Sequence, residues 1–232
     1  MAESSFDFNK FIEETKSALL SPAEYFSTMS KTGGFVEPLI KAVIYGTLAG
    51  IINFLWITFN LVPAFGSMFG GGLGASVILT SIIGSIIGLF IGGAIVLVIS
   101  AICSGSTNYE ENVRVTASLM SLYPVSAVFS LFTGINLILG GIVSLAVSLY
   151  GIWMLYNALI KSLNAKEGPA KVISIIFAVI PVLLIASSLF CYKAAQKLPD
   201  AMMQSIPSSE KQTQEAIQKI LEEAKKQSQQ QQ

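Results

Sequence analysis

The sequence predicts an all-α fold: a five-helix transmembrane bundle with an N-terminal amphipathic interfacial helix pair and a C-terminal polar helix or tail. Of the 232 residues, 53% are hydrophobic and 12% are charged, whereas soluble domains carry about 25% charged residues. The fourteen basic and fourteen acidic residues occupy only 1–41, 110–114, 161–171 and 193–226. The long uncharged tracts between these stretches are typical of a multispanning membrane protein.

Five tracts are long and apolar enough to cross a bilayer, which takes about 20 residues of helix. A cytoplasmic amphipathic segment (1–37) is predicted to precede a membrane domain (38–192), and a polar tail (193–232) follows it. The tract 115–161 is too long for one crossing, so we expect a break near "FTGIN" (132–136) and a tight hairpin there. The predicted spans are about 39–61, 74–103, 115–133, 137–160 and 171–192.

Residues 8–19 form an amphipathic helix pattern ahead of the first span. Apolar residues recur at spacings of three and four, beginning with Phe8, Phe11 and Ile12, while Lys10 and Glu14 lie on the other face. Such a helix can lie flat on the membrane surface or pack against the protein's own bundle. Its mixed charge predicts only weak attraction to anionic lipid.

The next stretch, "SPAEYFSTMSKTGGFVEPLIKAV" (21–43), is called the lead-in segment below. Ser21 is placed to cap a helix, with Pro22 at its first position and Glu24 completing a capping box. That helix should run to about Lys31 and stop at Gly33, where a left-handed conformation costs glycine little. Pro38 then opens the first span. This pattern predicts a helix–stop–helix elbow that lays aromatic residues at the membrane surface, with Lys41 snorkelling to the interface.

Small residues recur at helical spacing inside the spans. Gly84, Gly88 and Gly92 follow Thr80 at intervals of four in the second span, and Gly46 and Gly50 lie in the first. Rows of this kind let helix backbones approach closely. They serve either packing within one bundle or oligomerisation.

The second loop, predicted on the cytoplasmic side, places Glu110 and Arg114 four residues apart at the start of the third span. One interpretation is an ion pair at a helix start, worth well under about 1 kcal/mol. The other is a polar docking spot formed with Tyr109, Glu111 and the lead-in segment.

Lysine and arginine near the span ends indicate the orientation. Eight lie on the side of the N-terminus and three on the other side, counting Lys193, Lys197 and Lys211. This predicts a cytoplasmic N-terminus and, with five spans, a C-terminus outside. The glycine run 65–76 is expected to be an outer loop, and 208–226 a helix ending in a solvated glutamine tail.

Several function classes lack the residues that they need. Apart from Lys41 and Lys171 near their ends, the predicted spans contain no acid or base, and the chain has no histidine, so proton relays, imidazole-bound zinc and intramembrane proteolysis are not expected. The 65–76 glycine run lacks the residues of a phosphate-binding loop. The zero net charge gives no sign of nucleic acid as a partner. We therefore expect no catalytic residues, no metal and no cofactor. The partner expected from the apolar spans is the lipid bilayer.

The order of these motifs resembles the Yip family (Ypt-interacting-protein domain), in its prokaryotic branch. The resemblance covers about 20–195 and includes "YGIWMLYNALIKSLN" in the fourth span. The matching positions carry the family pattern in the lead-in segment and in the second loop. They are Pro22, Tyr25, Phe26, Met29, Gly33, Gly34, Pro38, Leu39, Gly105, Tyr109, Glu110, Arg114, Val115 and Pro124.

The resemblance implies a multi-pass protein of the membrane, for a prokaryotic member the bacterial inner membrane. Eukaryotic relatives act in vesicle trafficking and associate with Rab-type GTPases and with one another. They carry a long cytosolic N-terminal region, whereas fewer than 40 residues precede the first span here, which puts small-GTPase binding in doubt. The leading hypothesis is a non-enzymatic membrane organiser or scaffold that contacts itself or other membrane proteins. The alternative is a small-molecule or lipid transporter or channel, lined by Asn53, Asn136 or Asn157.

Overall fold

A computed structural model describes residues 7–61 and 75–196, with side chains for 7–61 and 76–187. The described residues fall into two compact units, divided after Ile185. The described secondary structure is helical throughout, which confirms the all-α class. The helices are α1 (Phe8–Leu20), α2 (Pro22–Thr28), α3 (Val36–Thr58), α4 (Ala75–Ile102), α5 (Tyr109–Leu119), α6 (Leu122–Phe129), α7 (Leu131–Ile135), α8 (Leu137–Asn157) and α9 (Glu167–Gln196), with a π-helical turn at Ala158–Ser162.

Five helical stretches of the described chain are long and apolar enough to cross a membrane, as the fold class predicts. They are Val36–Thr58, Ser76–Ile102, Tyr109–Ile135, Leu137–Ser162 and Glu167–Ser187. The third span is predicted from the sequence at about 115–133. In the structure it begins six residues earlier, at Tyr109. Most of the predicted 65–76 loop and the whole 208–226 helix lie outside the described residues.

The third span is a chain of three short helices rather than one continuous helix. Pro124 lies in the first turn of α6, where a proline lacks the N–H that would continue the α-helical ladder. The backbone turns at Met120 and Ser121, where Tyr123 N–H reaches back only three residues to the Met120 carbonyl at 2.9 Å.

A hairpin separates the third and fourth spans at Asn136. This residue is extended (φ −156°, ψ 128°), and its side chain accepts hydrogen bonds from the Ile138 and Leu139 N–H groups, which caps α8. Gly140 lies against the Thr133 backbone, and any Cβ there would overlap it. The break therefore falls at the end of the expected stretch, 132–136.

Helices α3, α4 and α5 pack side by side in alternating directions. Gly46 faces Ser85 and Gly50 faces Ser81, so positions rise along α3 as they fall along α4. Gly93 faces Val113 in the same opposed sense between α4 and α5. Consequently α3 and α5 run parallel, and both begin at the same end of the bundle. This end, where the lead-in segment also lies, is called the lead-in end below.

The predicted glycine row on α4 divides between two surroundings. A Cβ at Gly92 would come within 3 Å of Thr116, and one at Gly88 would lie 3.5 Å from the Tyr123 hydroxyl. A Cβ at Gly84 would meet no heavy atom within 4 Å. Gly46, Gly50 and Gly92 therefore lie at close helix contacts within the chain, whereas no neighbouring helix packs closely against Gly84.

Helices α1 and α2 dock on the lead-in end of the bundle. Phe11 and Ala18 of α1 and Phe26 of α2 are buried, while Phe8 and Ile12 remain exposed. Of the two arrangements considered for the amphipathic helix, packing against the bundle is the one observed. The buried contacts gather at this same end, where one cluster joins α1 to α3, α4 and α5 and another joins α2 to α4, α8 and the π-helical turn.

Two local predictions about the lead-in segment are wrong. Ser21 makes no side-chain capping bond, because it also ends α1 (its N–H binds the Ser17 carbonyl at 2.8 Å) and its backbone is not in the extended form that capping requires. The capping box with Glu24 is therefore absent. Helix α2 also stops at Thr28, three residues before Lys31.

Candidate functional site: a charged network at the lead-in end

Lys41 is the centre of a buried network of charges. Its ammonium lies 2.6 Å from a carboxylate oxygen of Glu14 on α1 and 2.8 Å from one of Glu37 on α3. The side chain is 8% exposed, so Lys41 pairs with two carboxylates inside the network instead of extending to water as predicted. The reason is that α1 covers this face of α3 and supplies a carboxylate. Lys10 extends the network outward, 3.7 Å from Glu14 on the next turn of α1.

Arg114 fastens the lead-in segment to α5 through three separate hydrogen bonds. Its Nε donates to the Ser30 carbonyl at 2.9 Å, and its Nη1 donates to the Gly34 carbonyl at 3.1 Å. Its Nη2 pairs with Glu37 at 2.5 Å. A guanidinium suits this task because its donors point in fixed, divergent directions. The side chain is buried, so each bond also satisfies a group withdrawn from water.

Glu110 does not pair with Arg114, contrary to the simpler interpretation of their spacing. Instead, its carboxylate accepts the Gly34 N–H at 2.6 Å. The two side chains hold the same peptide from opposite directions, because Arg114 donates to the carbonyl of Gly34 and Glu110 accepts from its N–H. An ion pair between positions i and i+4 of one helix is weak. The contact from Glu110 to the lead-in segment instead satisfies the backbone N–H of Gly34.

The contacts of Arg114 and Glu110 with the lead-in segment are called the clamp below. Gly33 and Gly34 give the segment the backbone shape that the clamp requires. Their φ angles are +130° and +79°, which side-chain-bearing residues rarely adopt. A Cβ on Gly33 would also lie 3.3 Å from the Arg114 Nη1. The glycine stop expected at this point therefore does two things, since it turns the chain and admits the guanidinium.

The aromatic pair of α2 lies beneath the clamp. Phe26 is fully buried, and the Tyr25 hydroxyl bonds to the Ser118 hydroxyl at 2.8 Å. Ser118 in turn donates to the Arg114 carbonyl at 3.2 Å. Burial raises the pKa of Tyr25 above its ordinary value of 10.0. Pro22 and Pro38 are both fully buried beside these contacts.

The remaining candidate positions are more scattered. Tyr109 donates its hydroxyl to the Phe90 carbonyl at 3.0 Å, and its ring lies 6.0 Å from that of Phe35. Glu111 makes no contact in the network among the interactions described. Pro124 belongs to the interruption of the third span, away from the charges. The network thus brings Tyr25, Gly33 and Gly34 of the lead-in segment together with Glu110 and Arg114. Pro22, Phe26 and Pro38 are buried without a bond to the charges, and Pro124 lies outside.

Sequence reasoning did not identify Glu14, Glu37 and Lys41 as members of this site. A signal for two of them was present, because Glu37 and Lys41 are four residues apart at the start of a span that otherwise lacks charge. Glu14 could not be assigned in that way, since its partner lies 27 residues later.

A cleft opens beside the network and is called the lead-in cleft. Its volume is about 270 Å³. It lies between the first half of α1, the turn at 30–34 of the lead-in segment (the lead-in turn) and the start of α3. Acidic, basic and apolar side chains all contribute to its wall. The cleft is lined by Asp7, Lys10, Phe11, Glu14, Ser30, Thr32, Gly33, Val36, Glu37, Ile40, Lys41 and Arg114. Across the described residues, no group of histidine, cysteine or acidic side chains could hold a metal ion.

The family of the chain follows from comparison with known proteins. The family model described as "Yip1 domain" matches residues 16–189, three quarters of the sequence. That range includes α2, the whole charged clamp and the spans through most of α9. Comparison with curated proteins and with solved structures gave no match in either case. With its five apolar helices and a Yip1 domain over most of its length, this chain belongs to the Yip1 domain family of integral membrane proteins.

Proposed function

We propose that this protein is a non-enzymatic organiser of the membrane, which holds further copies of itself or other membrane proteins through helix–helix contacts. The observation that carries this proposal is the open face of α4 around Gly84. Among the described residues, a Cβ at Gly84 would meet no heavy atom of another part of the chain within 4 Å, although Gly84 lies about a third of the way along a transmembrane helix. Small residues at such a position allow a second helix to approach closely in lipid.

The surroundings of Gly84 suit such a contact. Thr80, one turn earlier, is exposed, and its hydroxyl already donates to the Ser76 carbonyl at 2.8 Å, so the face presents no unsatisfied donor to an apolar partner. Ile83 and Ile87 stand exposed beside the glycine. Gly84 and Thr80 therefore lie beside exposed isoleucines on the outside of α4.

The asparagines considered for a transport path support this proposal over the alternative. Asn53 accepts a long hydrogen bond from Ser130 at 3.4 Å, and Asn157 donates to the Trp153 carbonyl at 2.8 Å. Asn136 caps α8. Each amide is thus engaged inside the chain, which favours a packed bundle over a polar conduit.

Crosslinking in native membranes tests the proposal. The full-length chain should give a reproducible crosslinked species of two copies, or of one copy with the same membrane partner, and Gly84→Leu should reduce its yield severalfold. The matched control is Ala94→Leu, which places the same side chain at another exposed position on α4. Equal thermal stability of the two variants would establish that Gly84→Leu still folds. Recovery of monomer alone from the unaltered protein would contradict the proposal.

We also infer an orientation with the N-terminus in the cytoplasm of a bacterial cell. All eight basic residues that led to this expectation lie between α1 and the start of α3, near the start of α5, or between the end of α8 and the start of α9, including Arg114 and Lys161. Basic residues near span ends are retained on the cytoplasmic side.

A further inference from the structure

The lead-in cleft lies at the depth of lipid headgroups. The first span, a single helix of 23 residues, extends about 35 Å at 1.5 Å per residue, which exceeds a hydrocarbon core of about 30 Å. The excess falls at its charged first turns, since Glu37 and Lys41 lie there. These turns contribute Val36, Glu37, Ile40 and Lys41 to the cleft. The cleft therefore opens at the boundary between water and acyl chains.

The charges around the cleft sum to zero. Asp7, Glu14 and Glu37 balance Lys10, Lys41 and Arg114, and both signs line the same 270 Å³. A simple anion would meet three carboxylates, and a simple cation would meet three basic groups. A zwitterion, by contrast, can place each of its charges next to the opposite sign.

Donor capacity remains for the anionic half of such a ligand. A guanidinium has five N–H donors and an ammonium has three, while the contacts described use three on Arg114 and two on Lys41. Both side chains are more than nine-tenths buried and line the cleft. Lys10 is largely exposed at the rim, which leaves it free to reorient toward a phosphate.

The cationic half is better matched by a primary ammonium than by a quaternary one. Asp7 accepts its two capping bonds through Oδ1 alone, which leaves its second carboxylate oxygen for an N–H donor. A quaternary ammonium is normally held by a cage of aromatic rings. Phe11 is the one aromatic residue among the lining residues, and its ring already packs against Tyr45 at 5.4 Å.

The remaining wall is apolar and explains why the ligand would carry acyl chains. Phe11, Val36 and Ile40 line the cleft next to the charged groups, and Val36 is 70% exposed at the first turn of the first span. Apolar surface at this depth can contact a glycerol backbone and its first methylenes. We propose that the lead-in cleft binds a phosphoethanolamine headgroup, presented by a phospholipid of the surrounding membrane.

Native mass spectrometry of the full-length protein in detergent tests this assignment. The probes are phosphatidylethanolamine, phosphatidylcholine and phosphatidylglycerol with identical acyl chains, added in equal amounts. We expect the ethanolamine lipid to be retained about tenfold over the other two, a difference that one charge-assisted hydrogen bond provides. Retention of all three lipids to the same extent would overturn the proposal.

Two variants locate the binding in this cleft. Asp7→Asn removes the charge but keeps a residue that caps helices equally well, and Lys10→Met keeps the aliphatic stem. Each should lower the preference for the ethanolamine lipid severalfold. Glu13→Gln and Lys16→Met make the same changes on α1 at exposed positions outside the lining, and should leave the preference intact. An undiminished preference in both cleft variants would refute the site.

Soluble glycerophosphoethanolamine distinguishes a membrane source from a free one. Competition only at a large excess over the lipid would support the lipid as ligand, because the apolar wall then contributes to binding. Competition at equal concentration would retain the headgroup chemistry but contradict the lipid as its source.

Discussion

Arg114 joins parts of the chain that lie far apart in sequence. Its guanidinium contacts Ser30, Gly34 and Glu37, which precede it by 84, 80 and 77 residues. A buried charge of this kind is costly unless it is paired and fully hydrogen-bonded. Because the lead-in segment supplies both the carboxylate and two carbonyl groups, the position of this segment and the burial of Arg114 depend on each other.

Replacing Arg114 should destabilise the folded protein in a graded way. Arg114→Met leaves Glu37 without one partner and should lower the free energy of unfolding by about 3–5 kcal/mol, the range for breaking a buried pair. Arg114→Lys keeps the charge but loses the divergent donors, so we expect a loss of about 1–3 kcal/mol. Thermal unfolding in detergent measures both.

A double-mutant cycle with Glu37→Gln isolates the ion pair from the backbone bonds. The two substitutions should be non-additive, because the second removes a partner that the first has already left unpaired. Additive effects would mean that the pair contributes nothing of its own, and that Arg114 acts through the Ser30 and Gly34 carbonyls alone.

At this scale the sequence indicated the residues but not their partners. Gly33, Gly34, Glu110 and Arg114 were identified from the family resemblance, and the structure places all four in one clamp. Their pairing could not be predicted from spacing, because local rules relate positions three or four apart, whereas these contacts join separate helices. The burial of Lys41 was missed for the same reason, since Glu14 comes from another helix.

Among the helices, α2 is the element most directly coupled to the clamp. Its Tyr25 hydroxyl binds Ser118, which binds the Arg114 carbonyl. The folded state raises the pKa of Tyr25, so the proton is held more tightly than in the unfolded chain. The resulting stability is complete below pH 10 and is lost as the pH rises through the folded pKa.

Tyr25→Phe should therefore change the alkaline stability profile. The substitution loses about 1 kcal/mol near neutral pH with the hydrogen bond. Above pH 10, unfolding free energy should fall more steeply in the unaltered protein than in the variant, because phenylalanine has no proton to lose. The difference between the two profiles, measured by thermal unfolding from pH 7 to 11, removes the contributions of other titrating groups. Parallel profiles would contradict the role given to Tyr25.

The glycines of α3 and α4 make separable predictions about helix packing. Gly46→Ala places a Cβ within 3 Å of Ser85 and should cost about 1–3 kcal/mol through overpacking. Gly84→Ala adds the same group at an open position, so it should be neutral or slightly stabilising, as alanine favours helix. Thermal unfolding of the two variants compares them directly, and equal losses would show that Gly84 is also packed.

Hydropathy predicted the number and class of the helices because uncharged tracts of this length have few other stable forms in a membrane. Details that depend on tertiary contacts were less accessible. The interruption of the third span follows from Pro124, which the sequence indicated only as a position of the family pattern. The start at Tyr109 depends on the contact between the polar first turn of α5 and the lead-in segment. The roles of individual glycines in the α4 row required the positions of α3 and α5.

For the whole molecule, the central expectation is opposite placement of the two ends. Reporter fusions after Gln232 should report the outer side and fusions at the N-terminus the cytoplasm, since five spans separate them. A fusion after Lys166, in the turn before α9, provides the internal control and should report the cytoplasm. Two cytoplasmic termini would mean that one of the five helices does not cross.

The length of chain between Arg114 and its partners has a consequence for synthesis. Translation at about 5–20 residues per second takes roughly 4–15 s to add the 77 residues that separate Glu37 from Arg114. During that interval α1 and α2 leave the ribosome, whereas Arg114, whose guanidinium holds the lead-in segment, has not yet been synthesised. The lead-in turn is therefore closed late, by the third span as it inserts, and nascent chains shorter than this point should expose α1 and α2 to protease.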